Sequence, residues 1–513
     1  MKRIIVFLTV AALLAIPVSS MAAKPGDWEL VGYTKLETFW DSTQVNKNLS
    51  GPLTRNNAPQ PNNFGRLKFT AQSSRFGFKI KGPEVFGAKT EGYIEIDFDS
   101  NQDGRQSASN SYIPRMRHAW FRMDFGSWQL LMGQYWGVFC DFYPETVNDG
   151  PYQNHGQATQ RIPQIRVTFK PDMGKSPWTF SALAGAAYDP AGDNATAAAF
   201  GVLPGSEAAA NYSGAAAALL GQRSMMPQFQ AQVIFEKDLY GKAAYAGRPR
   251  GFVADFGFGI QHIQYMRGQL AGPATWGFNG FDAIGARALV QKDTQTLTPW
   301  CVQGTLFIPI IPTRTEKLAG TASLTIQAQI GQGFSFYGNG TDGDNSFFVY
   351  DAPAFIGVPT LGNPNLNGFP NFVNYNQVVN YKRRLVSKYG GYIQGQYYFT
   401  EQWYVSGVYG FAKAYGVPRG RNFGINPGGV AGTLASSQDP GNLENYVYAT
   451  SNDQSMFTQE AQINLFFVPQ KNFKFGLAYS FMNTKYFQNT VIGSNDKING
   501  YNHSVRFGGW FFF

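Results

Sequence analysis

Arginine recurs in this chain at spacings that have chemical consequences. Arg115 and Arg117 stand two apart in PRMRHAW, so on an extended strand both guanidinium groups leave from one face. Adjacent guanidiniums present planar forks of donors that hold a carboxylate or a phosphate bidentately. More cations, Arg66, Lys68, Arg75 and Lys79, lie in GRLKFTAQSSRFGFKIK, and Arg166 lies in QIRVTFK. Downstream of the Arg pair, Asp141, Glu145 and Asp149 are spread along a turn-rich stretch. Opposed fixed charges of this kind bind and orient charged or dipolar solutes. Covalent chemistry has no comparable signal: the four histidines (118, 155, 262 and 503) are scattered, and H-E-x-x-H, G-x-S-x-G and phosphate-loop motifs do not occur. No catalytic residue, cofactor or metal is expected, and the chain does not read as an enzyme.

The elements that position these side chains alternate with period two. In TASLTIQAQI, Ala322, Leu324, Ile326, Ala328 and Ile330 alternate with Thr321, Ser323, Thr325, Gln327 and Gln329, which gives one oily face and one wet face. In EGYIEIDFD, Gly92, Ile94, Ile96 and Phe98 oppose Tyr93, Glu95 and Asp97. Short connections alternate with long ones rich in Gly, Asn, Pro, Ser and Asp. The short ones are KGPEVFGAK, DFGSW, KPDMGKSPW, KDLYGKAAYAGRPRG, IPIIPTRTEK, FTEQW and VPQKNF; the long ones fall at 41–64, 99–112, 135–160, 189–226, 268–296, 338–382, 416–455 and 485–502. That pattern predicts an all-β fold: a transmembrane antiparallel β-barrel of about 16 strands, with short periplasmic turns and long extracellular loops. A soluble sandwich also alternates, but mixes short and long loops irregularly.

The ends agree. MKRIIVFLTVAALLAIPVSSMAA has two cations, an apolar run and small residues, which marks residues 1–22 as a signal peptide and leaves 23–513 as the barrel. The tail VRFGGWFFF is an aggregation hazard in water and a closing strand in lipid, with Phe513, Phe511, Phe507 and Val505 outward and Arg506 and Ser504 inward. No stretch after the leader reaches the length of a membrane-spanning apolar helix. Charged residues are only 15% and aromatics 16%, yet mean hydropathy is −0.25, as when apolar surface is spread over alternate positions. The net charge of +9 favours anionic solutes or lipid headgroups over nucleic acid, which an exported chain rarely meets. Cys140 and Cys301 read as two separate thiols, with a loop-to-wall disulfide as the alternative. Asp342, Asp344 and Asp351 read as solvation of a long loop and not as a metal site.

In a barrel, Arg115 and Arg117 face the lumen, because each would cost about 2–4 kcal/mol near the lipid midplane. In the second strand the apolar phase slips from odd (Leu67, Phe69, Ala71) to even (Phe76, Phe78, Ile80). A β-bulge near Ser73–Ser74 therefore keeps Arg66, Lys68, Arg75 and Lys79 inward. Arg166 adds another inward cation. The parity of His118, His262 and His503 is lipid-facing or near it. Trp40, Trp128 and Trp403 belong to interfacial girdles.

The segment PRMRHAWFRMDFGSWQLLMGQYWGVFCDFYPETVND, with the Phe-terminated last strand, resembles Gram-negative outer-membrane porins. RMRHAW and GQYW loosely resemble the dicarboxylate-preferring porins of the DcaP type, although the N-terminal coiled-coil extension common there has no counterpart before strand one. The resemblance implies a constriction loop at about 135–160 that folds into the barrel. It places Asp141, Glu145 and Asp149 on one side of an eyelet, opposite the basic residues; solvation of an extracellular loop is the alternative for these acids. It also implies a homotrimer in the bacterial outer membrane, in contact with lipid and lipopolysaccharide, that passes small hydrophilic solutes by diffusion with a preference for anions such as carboxylates. An adhesin or structural barrel, and more remotely an outer-membrane enzyme, are the alternatives.

Overall fold

The computed structural model describes residues 27–43, 65–99, 114–148, 156–158, 160–187, 226–271, 288–333, 346–350, 379–385, 387–416, 455–486 and 499–513. The expected leader lies outside them, as do Asp149, His155, Asp342, Asp344 and Asp351. Sixteen antiparallel strands close into a barrel. They are β1 (Trp28–Asp41), β2 (Arg66–Thr70 continued by Arg75–Lys81), β3 (Lys89–Asp97), β4 (Arg115–Asp124), β5 (Trp128–Trp136) and β6 (Arg161–Phe169). Next come β7 (Trp178–Gly185), β8 (Gln228–Lys237), β9 (Phe252–Ile260), β10 (Trp300–Ile311) and β11 (Ala322–Gln332). The last five are β12 (Ser387–Tyr398), β13 (Trp403–Gly416), β14 (Ser455–Gln470), β15 (Phe473–Tyr486) and β16 (Asn499–Phe512). Each pairs with its sequence neighbour, and β1 closes on β16 from Tyr33↔Phe512 to Asp41↔Ser504. Closure leaves the barrel no edge strand among the described residues, which in lipid would carry unpaired backbone groups.

Alternation sets the two faces. Leu67, Phe69, Ile463 and Leu477 are more than half exposed on the outside, while Gln327, Gln394, Asn464 and Ser504 are buried within. The terminal strand follows the expected parity, with Phe511, Phe507 and Val505 outward and Arg506 only 1% exposed. The phase slip in β2 is real: between Glu37↔Thr70 and Tyr33↔Arg75, β2 inserts four residues opposite three of β1. The extra residue is absorbed in a turn at Ala71–Ser74, where the Ser74 N–H donates to the Ala71 carbonyl at 3.0 Å.

Two features depart from the sequence reading. The connection 238–251 carries a small hairpin, Ala243–Tyr245 paired with Arg248–Arg250, where a short turn was expected. The stretches read as loops at 268–296 and 338–382 contribute to a separate four-stranded sheet of Ala288–Leu297, Ile263–Ala271, Val379–Leu385 and Ser346–Tyr350. Both escape a search for turn residues, because Gly and Pro punctuate short strands as readily as loops.

An inward-outward pattern this strict makes one prediction. Replacing Ile463, which is 57% exposed near the middle of β14, with Arg should destabilise the barrel by about 2–4 kcal/mol, measured by urea unfolding in lipid vesicles. An unchanged unfolding free energy would mean that this face does not meet hydrocarbon.

Candidate functional site

The segment after β5 turns into the barrel. A short 3₁₀ turn at Val138–Cys140 buries all three of its residues, and the chain then crosses the lumen along the inner faces of β8 to β15 and β1. Its backbone is held by side-chain amides of the wall. Gln230 accepts from the Val138 N–H at 2.8 Å, and Gln232 donates to the Val138 carbonyl at 2.9 Å. Farther along, Gln394 accepts from the Glu145 N–H at 2.6 Å and Asn464 from the Val147 N–H at 3.0 Å. On the return leg Gln329 accepts from the Ala158 N–H at 3.0 Å and donates to the Gly156 carbonyl. Gly156, at φ +111, lies so close to Gly391 and the Phe411 carbonyl that a Cβ would collide with backbone. An amide side chain suits this work because it offers both a donor and an acceptor to a peptide group.

The two described acids of this loop are engaged with the wall. Asp141 accepts from Gln232 at 2.7 Å, and the same Gln232 nitrogen donates to Asp255 at 3.0 Å. Burial pushes the Asp141 carboxyl above the usual carboxylate range, against the opposing pull of Arg166 and the Gln232 hydrogen bond. Glu145 accepts from Lys474 at 2.6 Å, from Tyr404 at 2.5 Å and from Gln396 at 2.8 Å. Burial alone would raise Glu145, but the Lys474 ammonium and the three hydrogen bonds outweigh it and hold the group below its ordinary value. Val147 inserts into an inward apolar cluster with Tyr404, Phe466 and Trp510, and its carbonyl accepts from Lys35 at 2.7 Å. The two cysteines are free and buried. Burial pushes the Cys140 thiol up to about 12, so it is inert as a nucleophile.

The basic residues gather on the wall from β2 to β6. Arg75, Asp97 and Arg115 occupy one row across β2, β3 and β4. Arg115 holds Asp97 bidentately at 2.9 and 2.7 Å and reaches Asp99 at 3.4 Å. Arg117 bridges Glu95 at 2.8 Å and Asp97 at 2.5 Å. The ladder between β3 and β4 shifts register here, so Arg117 is an extra residue. Sequence reasoning missed this bulge, and it corrects the reading of His118. The bulge turns His118 inward, buried against Tyr93, Tyr135 and Trp136, and not toward lipid. Arg66 pairs with Asp41 at 2.8 Å, beside a buried seam in which Arg506 meets Glu37 at 3.3 Å. Lys68 lies between Arg66 and the bulge on β2. Arg166 donates to Gln164 at 3.1 Å and to the Trp136 carbonyl. Arg161 was missed by sequence reasoning. It stacks over Trp136 at 4.9 Å, and its Nη1 is buried without a hydrogen-bond partner among the described residues. Lys474, Arg122 and the wall glutamines were missed too, although Gln at spacing two in QFQAQ, QAQ and QGQ was a usable signal.

No protein-family model matches this chain, and no curated protein matches it. Among solved structures, the outer-membrane channel DcaP of Acinetobacter baumannii superposes with a TM-score of 0.54 at 15% identity, over 95% of this chain and 97% of its own. The two share a closed antiparallel β-barrel fold. Pseudomonas putida OprB, at a TM-score of 0.47 and 8% identity, covers 95% of this chain and 94% of its own. Salmonella typhi OmpF, at 0.45 and 10%, covers 95% and 97%. The likeness to the DcaP channel is one of fold, while the side chains that anchor the inward loop belong to this chain's own sequence.

The two loop acids should respond to pH with opposite sign. Asp141, raised in the folded state, stabilises docking fully below the ordinary carboxylate pKa, and its contribution is lost as pH rises through the raised value. Glu145, depressed, contributes above the ordinary value and loses that contribution as pH falls through the lowered one. A nitroxide label at Tyr143, which is exposed between them, should gain mobility as pH rises from the carboxylate range, and the gain should vanish in Asp141→Asn. An identical profile in that variant would remove Asp141 from the anchor.

Proposed function

We propose that this chain is a passive diffusion channel of the bacterial outer membrane for small hydrophilic solutes, with a preference for anions such as carboxylates. In this reading it is exported by the leader at 1–22, assembles as a homotrimer, contacts lipid and lipopolysaccharide, and performs no chemistry on its solutes. A hydrated lumen spares a solute the cost of desolvation in hydrocarbon, and the inward loop narrows the passage.

One observation carries the anion preference: the charge left on the wall from β2 to β6 after its ion pairs are made. Arg66, Lys68, Arg75, Arg115, Arg117 and Arg166, joined by Lys79, Arg122 and Arg161, face the carboxylates of Asp41, Glu91, Glu95, Asp97 and Asp99. Cations outnumber acids there. Glu145 is tied to Lys474 and Asp141 lies within reach of Arg166, so the loop acids offset only part of that excess. Asp97 shows how a solute carboxylate would be received, since two arginines already hold one. Arg161, stacked over Trp136 beside them, adds its charge to the same wall. A passing anion exchanges one guanidinium fork for another, so no step demands full desolvation.

Single-channel recording in a planar bilayer under a salt gradient tests the reading. The wild type should conduct with a reversal potential on the anion side. Arg161→Met should move it toward cations, and replacing Arg115 and Arg117 together with Gln should move it further, because Asp97 and Glu95 lose their counter-ions. Cation preference in the wild type would keep the channel and remove the anion preference. Silence from a folded barrel would overturn both.

A further inference from the structure

The hairpin between β8 and β9 has no part in closing the barrel. A tight turn suffices to join antiparallel neighbours, as residues 471–472 do between β14 and β15. Connections normally run over the surface. This one runs inward. Asp238 accepts from the Gly241 N–H at 2.7 Å, and Lys242 pairs with Thr313 of the next turn through both backbone groups at 2.8 and 2.7 Å. Ala243 and Ala244 then lie against the inner wall at 0% and 1% exposure, and inward Ser323 of β11 donates to the Ala244 carbonyl at 2.8 Å. The hairpin reverses at Ala246 and Gly247, both with positive φ (48° and 74°), the geometry of a type I′ turn. Ala246 adopts it at a steric cost that Gly would avoid.

The tip meets the loop that enters from the opposite end. Tyr245 packs on Phe142 at 4.8 Å and on Phe307 of β10 at 5.7 Å, and its hydroxyl accepts from the Tyr143 N–H at 3.1 Å. Arg250 is held bidentately by Glu236 at 3.1 and 2.9 Å, and its guanidinium stands 4.4 Å from the centre of the Phe142 ring. Ala244 shares an apolar cluster with Val147, the far anchor of the same loop.

We propose that this hairpin is a second constriction element: it enters from the short-turn end, supports the inward loop at Phe142, Tyr143 and Val147, and with it sets the largest solute that passes. The inference rests on the channel reading above. Tyr245 and Arg250 are positioning residues; they act on the passage through Phe142 and not by touching solute.

The test replaces 239–250 with Asn-Gly and compares the variant with wild type in bilayers and in liposome swelling with neutral sugars of increasing size, after folding is confirmed by heat-modifiable mobility. Conductance should rise roughly twofold as the passage widens, and sugars excluded by the wild type should enter. Should that variant fail to fold, Tyr245→Leu with Arg250→Met decides, with the expected outcome of added open-channel noise and a raised size limit. A conducting wild type whose folded variants keep its conductance, noise and size limit overturns the hairpin's role and leaves the channel reading intact. A silent wild type overturns both.

Discussion

The structure depends on one kind of interaction: an amide side chain of the barrel wall bonded to a backbone group of the loop that crosses the lumen. A barrel of sixteen strands leaves room for water along its axis, and a chain segment laid through that space must satisfy its peptide groups or lose about 1–3 kcal/mol for each that is buried unpaired. Gln230, Gln394, Asn464 and Gln329 satisfy them one at a time at Val138, Glu145, Val147 and Ala158. The lumen thereby acquires a fixed asymmetry. From β8 round to β15 the wall holds the loop, and from β2 to β6 it carries the arginine and carboxylate rows.

Charge follows the same division. On the anchoring side Glu145 meets the Lys474 ammonium, and Asp141 accepts from the neutral amide of Gln232. On the open side the carboxylates of β3 are shared among arginines, with Asp97 held by two at once. Glu145 is thus neutralised on the anchoring side, while Asp141 lies within reach of Arg166 on the basic wall.

Much of the barrel was legible in the sequence, since period-two alternation, terminal aromatics and the asymmetry of short and long connections are repeated along the chain. The slip in β2 was legible for the same reason: apolar residues on both sides of Ser73–Ser74 report their own phase. The bulge at Arg117 was missed although it carries the same kind of signal, with outward Met116 on one side and outward Phe121 on the other changing parity. His118 was misplaced as a result. The hairpin at 243–250 was hidden because turn residues mark a reversal without saying into which space it projects. Asp141 and Glu145 were found as acids, but a sequence does not show whether a carboxylate faces water or a lysine more than three hundred residues away, as Lys474 stands from Glu145.

The central claim is that the inward loop is a docked part of the wall, and backbone hydrogen exchange tests it most directly. The N–H groups of Val138, Glu145, Val147 and Ala158, which donate to wall amides, should exchange as slowly as those of the flanking strands β5 and β6 in the purified, folded protein. Exchange at the rate of a solvated loop would contradict the account, because the segment would then be free of the wall and no fixed asymmetry of the lumen would follow.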